Sequence, residues 1–317
     1  MTAIDVSACP QNQRRKTRTR PTYRPRPHVT HHGDATITIT DEHPYAGGIS
    51  TDIYRGILSS PDGNQRVVVK RWRLCTPQIS ETSRKEFLRD LTSRLECWQS
   101  LRHRNIAQFR WPILGLGQFP AMALQCYRNG NVLDYIRAHP SVNVLQLLID
   151  IAEALDFMHN MKPAPVAHGA LKGSNILVND AGTACLSDIG ISLIPIPPTW
   201  TLDTTLYSRW LAPEIILPGS ADHSIGLASP EADVYSFAMT AIEMTTGRRP
   251  FSHRSSHIPV VLDVIRGKRP RRPTLAEAPQ MTDDLWELVT SCWAQDPESR
   301  PLISEVRALL QLWANSA

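Results

Sequence analysis

The sequence predicts an α+β chain of two lobes, a small strand-rich one followed by a larger helical one. Two observations carry this. Between Ala35 and Cys126, short runs of alternating or β-branched residues bounded by Gly, Pro and Asn predict strands, with one helical stretch among them. Beyond Val132, apolar residues recur at helical spacing through most of the remaining chain. Strands first and helices afterwards argue for α+β.

The chain starts with a different texture. Residues 10–30 alternate Arg, Thr and Pro with little apolar content, a composition that cannot offset ordering entropy, so residues 1–35 are expected to form a disordered basic tail. Arg14, Arg15, Lys16, Arg18, Arg20, Arg24 and Arg26 against Asp5 give residues 1–30 a charge of +6, which leaves the rest at −2 of the overall +4. The basic balance therefore belongs to the tail, and no basic body that would wrap nucleic acid is predicted. Arg14-Arg15-Lys16 suits either a nuclear address or an acidic partner.

The elements follow in order. Ala35–Asp41 alternates apolar and polar with period 2 and predicts a strand. Tyr45–Tyr54 is a glycine-bearing turn entering a second strand, and Gln65–Lys70 is a third, reached through Pro61-Asp-Gly-Asn64. Phe87, Leu91, Leu95, Trp98 and Leu101 repeat at helical spacing over 80–101. Strands are expected at Ile113–Leu116 and Ala121–Cys126, then helices at 144–160, 231–246, 257–267 and 283–293 and from Leu302 to Trp313. The six cysteines never form a C-x-x-C pair, which argues against a zinc site or a disulfide framework and for a reducing compartment. No run of about eighteen apolar residues is present, and the N-terminus lacks an apolar signal core. A cytoplasmic location is expected, or a nuclear one if the basic tail is an address.

Several short motifs then fall in one order. Val68-Val69-Lys70 ends the third strand; His168-Gly-Ala-Leu-Lys-Gly-Ser-Asn175, Asp188-Ile-Gly190, Ala212-Pro-Glu214, Asp233-Val-Tyr-Ser-Phe237 and Cys292-Trp293 through Arg300-Pro301 follow. Together they resemble the protein kinase family, its tyrosine-kinase-like group with a Ser/Thr-type catalytic loop, over roughly residues 36–315. The resemblance implies a two-lobed kinase fold with an N-lobe over 36–127 and a C-lobe over 128–315. It implies ATP and Mg²⁺ as ligands and signalling proteins as partners. Lys70 would neutralise the α/β-phosphates, and Asn175 and Asp188 offer the hard oxygens that suit magnesium. Gly47 and Gly48 would face the phosphates, Leu124 would be the gatekeeper, and Gln125 and Cys126, with Tyr127, the hinge facing adenine. Glu214 and Arg300 imply an ion pair of the helical lobe. Asp233 would hold the catalytic-loop backbone, and Phe109, Trp98, His168 and Ile189 would form an apolar column between the lobes.

Four positions depart from the family pattern. Ala46 and Thr51 replace two of the three loop glycines, which stiffens the loop. Arg94 stands where the family places the glutamate that pairs with the strand lysine, and would repel Lys70; Asp90 is the nearest same-face acid, while Glu96 points away. Ala170 replaces the aspartate that accepts the substrate hydroxyl proton, and the loop Leu171–Ser174 contains no carboxylate to substitute for it. Lys172 is retained, but as a cation it stabilises charge without taking a proton. Tyr207 occupies the place of a small hydroxyl residue beside that aspartate. The leading expectation is therefore a pseudokinase that binds ATP weakly and acts as a scaffold or regulator. The alternatives are an active Ser/Thr kinase with an unorthodox catalytic loop, and a kinase-like platform for a basic tail that binds an acidic partner. Thr201, Thr204, Thr205 and Ser208 are candidate phosphoacceptors in the segment 188–214.

Overall fold

The computed structural model describes residues 29–32, 34–47, 51–72, 80–113, 116, 120–191, 194, 207–217 and 229–316. The strand-rich lobe is one antiparallel sheet: β1 (Val29–His32), β2 (Ala35–Ile39), β3 (Ala46–Gly47), β4 (Thr51–Ser60), β5 (Gly63–Trp72), β6 (Phe109–Ile113) and β7 (Ala121–Gln125). Its order is β1-β2-β4-β5-β7-β6, with β3 on β4. The alternation in β2 buries Ile37 and Ile39 while their threonine neighbours face outwards. β1 pairs with β2 from Val29, so the sheet takes in residues that the composition step assigns to the tail.

β4 and β5 form a hairpin ten residues long on each side, closed by Pro61-Asp62 and by Gly63 at φ 113°. β6 lies earlier than the expected Ile113–Leu116, because Pro112, which lacks a ladder donor, is accommodated on the edge strand of the sheet. Helix α1 (Glu81–Ser100) begins at Ser80, whose hydroxyl accepts from the Ser83 N–H. It buries Phe87, Leu91, Leu95 and Trp98. The Trp98 ring stacks on Phe109 of β6 at 5.5 Å, which ties the helix to the sheet edge.

The larger lobe contains α2 (Val132–Ala138), α3 (Val144–His159), α4 (Pro213–Ile216), α5 (Pro230–Thr246), α6 (His257–Ile265), α7 (Asp283–Cys292) and α8 (Ile303–Ser316). α5 is the axle of this lobe. Ser229 caps it, Pro230 opens its first turn, and Gly247 ends it at φ 64°, the left-handed conformation that favours glycine. Every residue from Ala232 to Met244 is buried, so its few polar groups need internal partners. Between α3 and α4 the chain makes one 3₁₀ turn, Gly173–Asn175, and the small hairpin β8 (Ile176–Val178)–β9 (Ala184–Leu186). That hairpin brings the residues on either side of it together.

Candidate functional site

The loop before the 3₁₀ turn is held from below. Asp233, in the first turn of α5 and 1% exposed, accepts from the His168 N–H at 2.7 Å and the Gly169 N–H at 2.9 Å. His159 Nε2 lies 3.0 Å from the same carboxylate. The Ala170 N–H donates to His168 Nδ1 at 3.2 Å. Burial pushes the pKa of the fully buried His168 imidazole down, which favours its neutral form. Gly173 fits tightly, since a Cβ there would lie 2.6 Å from Leu133 Cγ. Its N–H donates to Glu243 at 2.9 Å, and Glu243 also accepts from the Trp210 indole at 3.1 Å. Burial pushes the Glu243 carboxyl up. Sequence reasoning missed this acid, although one charged residue inside the apolar run of α5 is the signal for it.

The β8–β9 hairpin then sets Asn175 beside Asp188. The Asn175 carbonyl accepts from both the N–H and the hydroxyl of Ser187 at 2.9 Å. Asn175 Nδ2 donates to the Ala170 carbonyl at 2.9 Å, so its side-chain oxygen is the end left for a cation. Asp188 sits at φ 61°, a strained position for a residue with a Cβ and one that Asp tolerates better than most. Lys70, facing Met122 in the β5–β7 register, places its Nζ 2.5 Å from Asp188 Oδ2. With Arg94 at the helix position, Lys70 takes Asp188 as its partner instead of a helix acid. Asp90 does not reach it, pairing instead with Arg89 at 3.2 Å on the outer side of α1. Arg94 turns its stem towards Gly190, whose added Cβ would lie 3.3 Å from Arg94 Cδ.

Ala170 presents only a methyl group to this cleft, and no other acid of its loop replaces the missing carboxylate. Lys172 Nζ sits 3.7 Å from the centre of the Tyr207 ring, a cation–π contact. Burial, and then the charge of Lys70, bring the Lys172 ammonium down to about 8. Asp188 Oδ1 is buried without a hydrogen-bond partner. That oxygen and the Asn175 amide oxygen suit one hard cation shared with phosphates. Among the described residues no group of three or more His, Cys, Asp or Glu could hold a metal.

At the other end of the cleft, Leu124 is buried in β7 opposite Val68, and Cys126 is a half-buried free thiol. The Gln125 N–H donates to the Gln108 carbonyl at 3.2 Å, and the Tyr127 hydroxyl accepts from the Gln108 N–H at 3.2 Å. Burial pushes the Tyr127 phenol up to about 12. Ala46 and Gly47 pair with Ile53 and Asp52 and are exposed, while Thr51 is buried. Gly48, the basic residues Arg14–Arg26, Thr201, Thr204 and Thr205 lie outside the described residues; Ser208 is buried, so its hydroxyl is not presented for modification. Below the site, Arg300 donates to both carboxylate oxygens of Glu214 at 2.7 and 2.8 Å, and to the carbonyls of Ala294 and Glu231.

This fold and this order of residues define a protein kinase domain. A family model for protein tyrosine and serine/threonine kinases matches residues 42–310, and the chain belongs to that family. It is 27% identical over 276 residues to the serine/threonine-protein kinase STY17 of Arabidopsis thaliana, covering 85% of this chain and 43% of that protein. Identity to the serine/threonine/tyrosine-protein kinase HT1 of the same plant is 27% over 274 residues, 84% of this chain and 64% of that one. The receptor-type guanylate cyclase gcy-5 of Caenorhabditis elegans is 31% identical over 220 residues, 67% of this chain and 19% of the relative. The chain therefore spans less than two thirds of the length of each of these relatives. No described helix is long and apolar enough to cross a membrane.

Proposed function

We propose that this chain is a pseudokinase, a kinase domain that holds ATP weakly between its lobes and regulates or scaffolds signalling proteins without transferring phosphate at an ordinary rate. One observation carries the reading. At Ala170 the catalytic loop has a methyl group in place of a proton acceptor, and the nearest retained polar side chain of that loop, Lys172, is engaged with the Tyr207 ring. Losing a general base alone costs about 10²–10⁴-fold in rate. Arg94 adds to this, since it cannot orient Lys70 as a glutamate would. Likeness to relatives named as guanylate cyclases supports a domain of this type serving proteins named for another chemistry.

Lys70, Asn175 and Asp188 would hold the nucleotide phosphates and one magnesium ion, with the hinge at Gln125 and Cys126 facing the base. Bound magnesium would supply charge neutralisation along the phosphates. A second reading, an active Ser/Thr kinase with an unorthodox loop, is favoured by the retention of those three residues and by the relatives named as serine/threonine kinases. The test is transfer from radiolabelled ATP to a panel of Ser/Thr and Tyr peptides. Turnover at least about a hundredfold below an ordinary kinase is expected. Robust transfer abolished by Asp188→Ala would overturn the pseudokinase reading.

A further inference from the structure

We propose that the surface built from residues 248–277 docks an acidic segment of a partner protein, one that carries aliphatic side chains among its Asp and Glu residues. The surface takes in none of the residues assigned to the cleft. The inference deepens the partner-binding part of the reading above and rests on that part alone, not on the absence of transfer.

The starting point is an uneven charge. Residues 31–317 sum to −2, yet 248–272 hold eight Lys and Arg against one acid, Asp263. That stretch is +7 and the rest of the body −9, so the overall balance conceals a strongly basic surface. Two of the eight cations are committed elsewhere. Arg269 donates to the carbonyls of Trp293 and Lys268, both at 2.9 Å, and Arg272 pairs with Asp283.

Two acids of the surface are each shared by two of the other cations. Glu277 Oε1 lies 2.6 Å from Arg271 and 3.5 Å from Arg248. The Asp263 carboxylate lies 2.7 Å from Arg254 and 3.2 Å from Lys268. One carboxylate neutralises one of two charges, so each cluster keeps a positive excess. Lys268 and Arg271, three residues apart, join the clusters into one surface. Arg249 and Arg266 are exposed, and among the described residues neither forms an ion pair.

Exposed aliphatic side chains accompany both clusters. Ile258 and Leu262, 72% and 43% exposed, stand one turn apart on α6, the helix that carries Asp263. Leu275, 75% exposed, belongs to the turn in which the Thr274 N–H donates to Glu277 at 2.9 Å. This mixture selects the class of ligand. A uniform polyanion would be repelled at Glu277 and would leave the three aliphatic groups in water. A peptide that intersperses acids with aliphatic residues satisfies both. Nucleic-acid bases also stack on aromatic platforms, whereas the exposed large apolar groups here are aliphatic.

The experiment selects random short peptides displayed on phage against the full chain, then measures the enriched peptides, fluorescein-labelled, by anisotropy. Enriched sequences are expected to combine Asp or Glu with Leu, Ile or Val. Changing the aliphatic residues of such a peptide to Ser should weaken binding at least about fivefold. Arg249→Gln/Arg266→Gln/Lys268→Gln removes three charges and leaves Arg254 on Asp263; it should bind at least about tenfold more weakly. Ile258→Ser/Leu262→Ser, at two exposed positions, should lose about fivefold. The ligand-free melting temperature of each variant is the control for folding. Because the tail is basic too, Arg14→Gln/Arg15→Gln/Lys16→Gln is measured alongside and should stay within about twofold of the unmodified chain. Enriched peptides without acids, or binding lost in the tail variant and kept in the two surface variants, would overturn the inference. So would a random DNA duplex or a phosphatidylserine vesicle that binds more tightly than every peptide and is released by the three-charge variant. Robust phosphate transfer alongside such peptide docking would instead sink the pseudokinase reading and leave this inference standing.

Discussion

Replacing Asp233 by Asn tests how the candidate site is held. The carboxylate is 1% exposed and accepts from two peptide N–H groups at 2.7 and 2.9 Å, with the His159 imidazole at 3.0 Å. Asparagine keeps one acceptor oxygen and turns the other into a donor. In its best rotamer the oxygen stays with His168 and His159, and the new NH₂ faces the Gly169 N–H. One charge-assisted hydrogen bond, worth about 1.5–3 kcal/mol, is then lost, and two buried donors are left facing each other at a further cost of about 1–3 kcal/mol. The two costs overlap, so a loss of about 3–4 kcal/mol is expected for Asp233→Asn. Urea unfolding followed by tryptophan fluorescence would read this as a lower midpoint at unchanged slope. A loss below about 1 kcal/mol would refute the argument, because the His168–Ala170 backbone would then be held by something other than this carboxylate.

Other outcomes follow from the same geometry. Glu214→Ala strands an Arg300 side chain that is 0% exposed, while Glu214 itself is 23% exposed, so about 3 kcal/mol is expected, seen as a melting temperature lower by roughly 6–12 °C. A drop of under about 2 °C would show the pair to be unimportant. Gly173→Ala drives a methyl into Leu133 and should cost about 1–3 kcal/mol, partly rescued by Leu133→Ala; absence of rescue would point elsewhere. Lys172 titrates at about 8 in the folded chain against 10.5 in the unfolded one, so between those values the unfolded chain binds the extra proton and stability rises with pH. From pH 7 to pH 9.5 this group should contribute about 2 kcal/mol, a gain absent from Lys172→Met; equal pH–stability slopes for the two proteins would contradict it.

The motifs were legible because each is a few adjacent residues with one local chemistry, and their order was enough to give the two-lobed fold. What stayed hidden was pairing across long separations. Lys70 and Asp188 are 118 residues apart, and nothing in either neighbourhood says that the lysine takes that acid once the helix position holds Arg94. Counting along α1 singled out Asp90 as the nearest same-face acid, whereas its carboxylate engages Arg89. Tyr207 could be read as a missing hydroxyl; that its ring covers Lys172 depends on how the 207–217 segment folds back over the loop. β1 carries no alternation of its own and exists by pairing with β2. Glu243 was passed over because helical periodicity marks α5 as core without saying which peptide groups the buried acid near its C-terminal end must satisfy.

The acids of this chain divide into two sets with different physics. Asp233, Glu243 and Asp150 are buried and accept from backbone N–H groups of His168 and Gly169, of Gly173 and of Ala184, and Glu214 holds the buried Arg300. Removing any of these leaves an orphaned donor or charge in the interior, so the fold itself requires them. The two family acids that this chain lacks belong to half-buried positions, 94 and 170. Replacing them with Ala170 and Arg94 strands no peptide group, because solvent or ligand can satisfy whatever remains. Their replacement leaves the loop with the same backbone support, since the Ala170 carbonyl still receives Asn175 Nδ2. Stability and catalysis are therefore separable in this fold, residue by residue. A chain can keep the lobes and the buried acids that hold them while carrying alanine at position 170, where the family places its proton acceptor.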